Sequence, residues 1–188
     1  ETIVHAVNEI LNTNQASPPD KVMLKLDLSN AFNSVSREWI FREIKKFCPE
    51  TFNYVMSTYY CNQFLYLGHR CEVIECKEGV QQGDPLGPIL FCIAMQPLLL
   101  DVRKKFPNLD LVAFYMDDGT LIGPIEDVKR AALFIKDESR KYGLNLNESK
   151  SEFWWPNINR DNFINSAFHI NTDEGTELLG SAIGTPWF

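Results

Sequence analysis

The chain has 188 residues, 45% hydrophobic and 12% aromatic, and a net charge of −7. That apolar content is enough to bury a sizeable core, which excludes an intrinsically disordered segment. No apolar run approaches the ~18 residues of a membrane helix, and no secretory h-region is present.

Residues 1–13 place Ile3, Val4, Val7, Ile10 and Leu11 at helical spacing. A polar, Pro-containing loop from Asn14 to Asp20 follows, then the short apolar run Val22-Met23-Leu24-Lys25-Leu26-Asp27-Leu28, which predicts a buried strand ending at Asp27. Ser36 precedes Arg37-Glu38 as a helix N-cap, and Trp39, Ile40, Ile44 and Phe47 form the apolar face up to Cys48-Pro49. A second helix is expected over 50–60. The runs 64–67 and 71–76 bracket Gly68-His69-Arg70 as a hairpin. After the loop Gly83–Pro88, the segment from Ile89 predicts a long buried helix, kinked at Pro97 and ending near Phe106-Pro107. Leu109–Phe114 and Gly119–Gly123 predict a second hairpin, with Asp117 and Asp118 at its tip. An amphipathic helix from Glu126 to Tyr142, closed by Gly143, and a strand over Ser151–Trp155 complete the pattern; the polar tail from Pro156 carries no clear period. Strand, helices, hairpin, helix, acidic hairpin, helix and strand in that order give an α+β layout, an antiparallel sheet with helices on one face.

Two adjacent carboxylates in a tight turn repel one another, and a divalent cation relieves that cost. Asp27 is a third acid, at the end of a strand. If that strand lies beside the acidic hairpin, Asp27, Asp117 and Asp118 converge on a site suited to metal-assisted phosphoryl transfer. The five cysteines (Cys48, Cys61, Cys71, Cys76, Cys92) contain no CxxC pair and read as reduced, buried thiols. The histidines His5, His69 and His169 lie far apart and form no ligand pattern.

Three stretches resemble motifs A, B and C of reverse transcriptases: Lys25-Leu26-Asp27-Leu28-Ser29-Asn30-Ala31-Phe32, Gly79-Val80-Gln81-Gln82-Gly83-Asp84-Pro85-Leu86-Gly87-Pro88, and Phe114-Tyr115-Met116-Asp117-Asp118. They occur in the family's order. Gly143–Lys150 resembles motif D and Leu178-Leu179-Gly180 the start of motif E. The Gln-Gly-Asp-Pro-Leu wording is most similar to that of non-LTR, LINE-like retroelement enzymes. The resemblance implies a polymerase palm with part of the fingers inserted between its first strand and the acidic hairpin.

It also implies roles. Asp27 and Asp117, with the more dispensable Asp118 and the carbonyl of Leu28, would hold two magnesium ions, for which manganese can substitute. The backbone amides of Asn30 and Ala31 would cradle the triphosphate, and Phe32 would pack under the deoxyribose and block a 2′-hydroxyl. Gln82 would reach the template or incoming nucleotide, while Gly83 would let the backbone approach the nascent pair. Tyr115 would support the primer terminus and Met116 the primer-side base pair. Lys150 would neutralise triphosphate charge or protonate pyrophosphate. Leu178-Leu179-Gly180 would form the primer-grip side, and Trp154, Trp155 and Trp187 read as packing residues rather than stacking platforms. The partners implied are an RNA template, a DNA or RNA primer and dNTPs, with no membrane.

The acidic balance contrasts with the basic surface that phosphates attract. Arg103-Lys104-Lys105, Lys129-Arg130 and Arg140-Lys141 read as solvated helix faces. The expectation is that most of the duplex grip lies in flanking segments, since the chain begins at Glu1 within helical sequence and reads as one reverse transcriptase domain of a longer polyprotein. Without an export signal, a nuclear or cytoplasmic location is expected. Two alternatives stay open at this point: a non-catalytic RNA-binding or scaffold domain of the same descent, and an RNA-dependent RNA polymerase palm.

Overall fold

The structure is a computed structural model and describes residues 1–13, 20–61, 63–67, 72–164 and 166–184. In chain order its elements are α1 (Thr2–Thr13), β1 (Lys21–Leu26), β2 (Leu28–Ser29), α2 (Ala31–Ser34), α3 (Arg37–Phe47), α4 (Phe52–Tyr59), β3 (Gln63–Leu67), β4 (Glu72–Cys76), α5 (Gly87–Lys105), β5 (Leu111–Tyr115), β6 (Asp118–Pro124), α6 (Ile125–Ser139), β7 (Asn145–Leu146), β8 (Glu152–Trp154), β9 (His169–Asn171), β10 (Gly175–Leu178) and β11 (Ser181–Gly184). They divide into two compact units, one of Glu1–Leu28, Leu99–Asp137 and Leu146–Phe188, the other of Ser29–Leu98 and Glu138–Asn145.

The first unit is built on a sheet of order β5-β6-β1-β8-β9, antiparallel except for the parallel β8/β9 pair. β1 is its central strand, and Val22, Met23, Leu24 and Leu26 are all buried. A strand covered on both faces reads as a continuous apolar run rather than an alternation, as this stretch does except at the part-buried Lys25. Met23 lies opposite Ile122 and Trp154 on one face, and Leu24 opposite Leu121 and Phe153 on the other. The Met23 face closes with Val7 and Leu11 of α1, Trp155, Leu178 of β10 and Ile183 of β11 into one apolar cluster. Trp154 is fully buried there and donates its indole N–H to the carbonyl of Asp173 at 3.1 Å. On the other face Phe153 packs against Phe163 and Phe168, with ring centroids 4.7 and 5.5 Å away.

The second unit joins α2, α3, α4 and the β3–β4 hairpin to the first part of α5. Ser36 caps α3 as expected, accepting from the Trp39 N–H. Gly143 has φ +77, and an added Cβ would lie 2.5 Å from the Ser34 carbonyl oxygen, so only glycine fits.

The α+β layout and the main elements agree with the sequence reading, and three details differ. The helix expected over 126–142 is α-helical only to Ser139; Arg140–Tyr142 tightens into a 3₁₀ turn, which lets the chain reverse at the left-handed Gly143. The polar tail forms β9 and the β10–β11 hairpin, because Leu178 and Ile183, with the partly buried Ile158 and Leu179 against them, seat it in the core cluster. A short helix, α2, follows directly on the left-handed Asn30. The turn expected at Gly68-His69-Arg70, most of the loop before Asp20, and Trp187 lie outside the described residues. Among the described residues no helix is long and apolar enough to cross a membrane.

Candidate active site

β1 and β6 are hydrogen-bonded neighbours, with Leu26 opposite Gly119. Asp27 is the next residue beyond Leu26, and Asp118 immediately precedes Gly119, so the register delivers both carboxylates to the same end of the sheet. The β5/β6 hairpin pairs Tyr115 with Asp118, leaving only Met116 and Asp117 in the turn. Met116 has φ +56, a left-handed conformation that a side chain adopts at a cost of about 1 kcal/mol or more and that clusters at functional sites. Asp118 therefore opens a strand instead of sitting at the hairpin tip.

Asp27, Asp118 and Lys150 line one open recess of about 400 Å³, together with Lys25, Glu177 and the Leu178–Gly180 turn. Three of the predicted residues, from three separate segments, thus share a site. The Leu178-Leu179-Gly180 stretch turns from β10 to β11 through left-handed Leu179 and Gly180 and forms the recess wall.

The backbone of Asp27 is held on both sides by the turn before β8. Its N–H donates to Ser151 Oγ at 3.0 Å, and its carbonyl accepts from the Asn147 N–H at 2.8 Å. Ser151 is fully buried and donates onward to the Asn147 carbonyl at 2.7 Å. Lys150 is exposed within this turn, its N–H directed at the Asn147 carbonyl at 3.3 Å. Asn147 organises the turn further by accepting from the Ser149 hydroxyl at 2.8 Å.

Behind the acids lies a polar cluster that the motifs did not single out. Lys25 Nζ donates to Glu152 Oε1 at 2.9 Å and to Thr176 Oγ1 at 3.1 Å, and Thr176 donates to Glu152 Oε1 at 2.6 Å. Burial alone would raise the Glu152 carboxyl, but hydrogen bonds from Thr176 and Lys25, the Lys25 charge and Asn171 outweigh it and hold it below the usual range. The signal in the sequence was Lys25 itself, a lone charge between Leu24 and Leu26 in an otherwise apolar strand; Ser151, Glu152 and Thr176 carried none.

Asp118 titrates above the ordinary aspartate range. Desolvation contributes most, the charges of Asp117 and Asp27 add to it, and Lys25 opposes them. Asp118 and Asp27 thus act on each other electrostatically. The expected three-acid group is not assembled: among the described residues no three His, Cys, Asp or Glu side chains are gathered closely enough to hold a metal ion together. Successive residues entering a strand point to opposite faces, and Asp117 is not among the residues lining the recess. Two carboxylates with a third one residue away still fit magnesium, which takes one or two carboxylates and completes its shell with water and phosphate oxygens.

Of the other predicted residues, Leu28 is buried at the start of β2, while Tyr115 is exposed and Met116 half-buried in the acidic hairpin. Asn30, Ala31, Phe32, Gln82 and Gly83 belong to the second unit. There Asn30 is left-handed at the start of α2 and accepts from the Asn33 amide at 2.6 Å. Ala31 is buried, and the half-buried Phe32 stacks on Phe91 with centroids 4.9 Å apart and planes 10° apart. Gln82 and Gly83 are exposed.

A family model described as Reverse transcriptase (RNA-dependent DNA polymerase) matches residues 3–183. The retrotransposable element SLACS 132 kDa protein of Trypanosoma brucei gambiense is 30% identical over 132 residues, covering 68% of this chain and 11% of that protein. The retrovirus-related Pol polyprotein from type-1 retrotransposable element R2 of Popillia japonica is 31% identical over 94 residues, 47% of this chain and 15% of that protein. The chain thus spans between about a tenth and a sixth of the length of these relatives. Among solved structures, telomerase from Candida albicans in complex with a TWJ fragment of telomeric RNA matches with a TM-score of 0.72 at 13% identity, over 98% of this chain and 33% of that one. Apo telomerase from Candida tropicalis, truncated of its C-terminal domain, matches with a TM-score of 0.69 at 16% identity, over 97% of this chain and 37% of that one. At such identities the likeness is one of fold.

Proposed function

The chain belongs to the reverse transcriptase (RNA-dependent DNA polymerase) family, and from that membership we propose that it is the core of a non-LTR retroelement polymerase that extends a primer 3′-hydroxyl with dNTPs on an RNA template. The observation that carries this reading is the shared recess of Asp27, Asp118 and Lys150 at one end of the β1/β6 pair. Nucleotidyl transfer needs positioning and charge neutralisation more than covalent chemistry from the protein, and two carboxylates with a cation opposite them supply both.

Asp27 and Asp118, with Asp117 beside them, would hold the divalent metal, which when bound neutralises phosphate charge and favours ionisation of the primer hydroxyl. The clamp of Asn147 and Ser151 on the Asp27 peptide fixes where its carboxylate is presented. Lys150 reaches the triphosphate side and supplies positive charge, or a proton, to the leaving pyrophosphate. In the second unit, Asn30 and Ala31 serve the triphosphate, Phe32 discriminates against a 2′-hydroxyl, and Gln82 and Gly83 meet the nascent base pair. Tyr115 and Met116 serve the primer end.

The test is primer extension on an RNA template with magnesium by the full protein containing this chain, run with dNTPs, with NTPs, and with Asp27→Asn and Asp117→Asn variants. Extension with dNTPs, abolished in both variants, is expected. A folded wild-type protein that extends no primer with either nucleotide set overturns the reading.

A further inference from the structure

The segment Gln81-Gln82-Gly83-Asp84 is a β-turn, its Asp84 N–H donating to the Gln81 carbonyl at 3.2 Å. Gly83 stands third in it with φ +93, the left-handed conformation that the third position of a type II turn requires. A Cβ there would meet nothing within 4 Å, so conformation rather than crowding calls for glycine. The turn exposes Gln82 on a recess of about 630 Å³ that Asn33 and Lys77 also line.

One side chain holds both ends of this turn. The Tyr59 hydroxyl donates to the carboxylate of Asp84 and accepts the Gln81 N–H at 3.4 Å. The other Asp84 oxygen accepts the Leu86 N–H at 2.9 Å, tying the turn to the start of α5. Tyr59 is the last residue of α4 and is itself immobilised: its ring is almost fully buried, its carbonyl accepts from the buried Arg37 guanidinium at 3.4 Å, and that guanidinium lies 5.5 Å from the ring centroid. Arg37 also donates to the carbonyl of Gly79 at 3.0 Å, just upstream of the turn. Burial, with the Asp84 hydrogen bond second, pushes the Tyr59 phenol up to about 12, so it stays a donor across the physiological range.

We propose that Tyr59 is a positioning residue for nucleotide selection: its hydroxyl closes the Gln81–Asp84 turn and so fixes the amide of Gln82 and the backbone of Gly83 for the base pair being formed. The inference rests on the polymerase reading. Tyr59 touches no reacting group, and its effect passes through the turn. Removing the hydroxyl takes away the tie that Gln81 and Asp84 share, and the entropy of re-ordering the turn falls on each nucleotide-binding event.

The experiment is single-nucleotide insertion on an RNA template by the full protein, comparing wild type, Tyr59→Phe, Asp84→Asn, Gln82→Ala and the Tyr59→Phe/Gln82→Ala double variant. Tyr59→Phe is expected to raise KM for the correct dNTP about tenfold while kcat moves less than about threefold, and to raise misinsertion. Asp84→Asn has one acceptor oxygen for two donors, the Tyr59 hydroxyl and the Leu86 N–H, and should raise KM in the same direction as Tyr59→Phe. Because part of the effect of Tyr59 passes through Gln82, the double variant should lose less than the sum of the two single losses. Equal KM values for wild type and Tyr59→Phe, or additive losses in the double variant, overturn the proposal, as does a lowered melting temperature with apparent kcat reduced in proportion to folded protein and KM unchanged. Absence of any wild-type extension is a different result: it overturns the polymerase reading, and the role of Tyr59 in selection falls with it.

Discussion

The buried hydroxyl of Ser151 accepts the backbone N–H of Asp27 at 3.0 Å, tying the residue that follows the central strand to the residue that precedes β8. The same hydroxyl donates to the Asn147 carbonyl, which keeps the N–H groups of Lys150 and Ser151 as donors, so Ser151→Ala leaves the part-buried Asp27 N–H short of a partner. A loss of about 1–3 kcal/mol is expected, with primer extension reduced more than the folded fraction. Urea denaturation and extension assays on the same preparation check both. An unchanged urea midpoint would show that the hydroxyl does not hold the Asp27 turn.

Asp118 gives a prediction of opposite sign. Its carboxyl is raised by desolvation and by Asp117 and Asp27, so its stabilising contribution belongs to the protonated form. That contribution is complete only below the ordinary aspartate value and is lost as pH rises through the raised one. At neutral pH the ionised side chain opposes the fold. Asp118→Asn should therefore raise the melting temperature at pH 7, with the gain shrinking toward pH 4, while slowing extension. Thermal unfolding across that pH range measures the difference, and a variant less stable than wild type at pH 7 would contradict it.

The same repulsion predicts a response to magnesium. A cation held by Asp27 and Asp118 binds the folded state and stabilises it by mass action. Wild type should melt at higher temperature as magnesium is added, and Asp27→Asn should respond much less. Identical magnesium titrations of the two proteins would place the cation elsewhere.

Glu152 follows the ordinary carboxylate rule. Burial raises it, but Thr176, Lys25 and Asn171 outweigh that and leave it lowered. Its contribution is full above the normal glutamate value and is lost as pH falls through the lowered one. Both it and Lys25 are mostly buried, with 18% and 26% of the side chain exposed, so Glu152→Gln should cost about 1–2 kcal/mol at pH 7 and little at strongly acid pH. Chemical denaturation at the two pH values distinguishes this from a pH-independent packing loss.

Phe32 carries the last prediction. Its ring is held face to face against Phe91, which fixes it more firmly than a free side chain after a turn. Phe32→Ala should relax discrimination against NTPs by about tenfold or more, since ~1.4 kcal/mol of lost steric exclusion is a factor of ten, and should leave dNTP insertion comparatively intact. Competition between dATP and ATP on one template reads the ratio; an unchanged ratio would confine Phe32 to packing.

The sequence by itself determined the family and most of the elements up to β8. Val22–Leu26 is apolar but for Lys25 because its strand is covered on both faces, the paired runs around Asp117 and Asp118 announce their hairpin, and Gly143 marks a helix end. The ordered motifs carried the family, whose model matches residues 3–183. These signals are local: each depends on spacing within a dozen residues, where side-chain direction follows from helix or strand period.

Only the tertiary structure decided which of the candidate residues meet. The pairing of Leu26 with Gly119 spans 93 positions and sets Asp27 beside Asp118, and the β1/β8 register brings Lys25 to Glu152. Ser151 and Thr176 are ordinary residues in the sequence and acquire their roles from partners more than 20 positions away. A polar side chain takes its function from the group that satisfies it once water is excluded, and that group is chosen by how the strands stack, a long-range outcome that no window of neighbouring residues encodes.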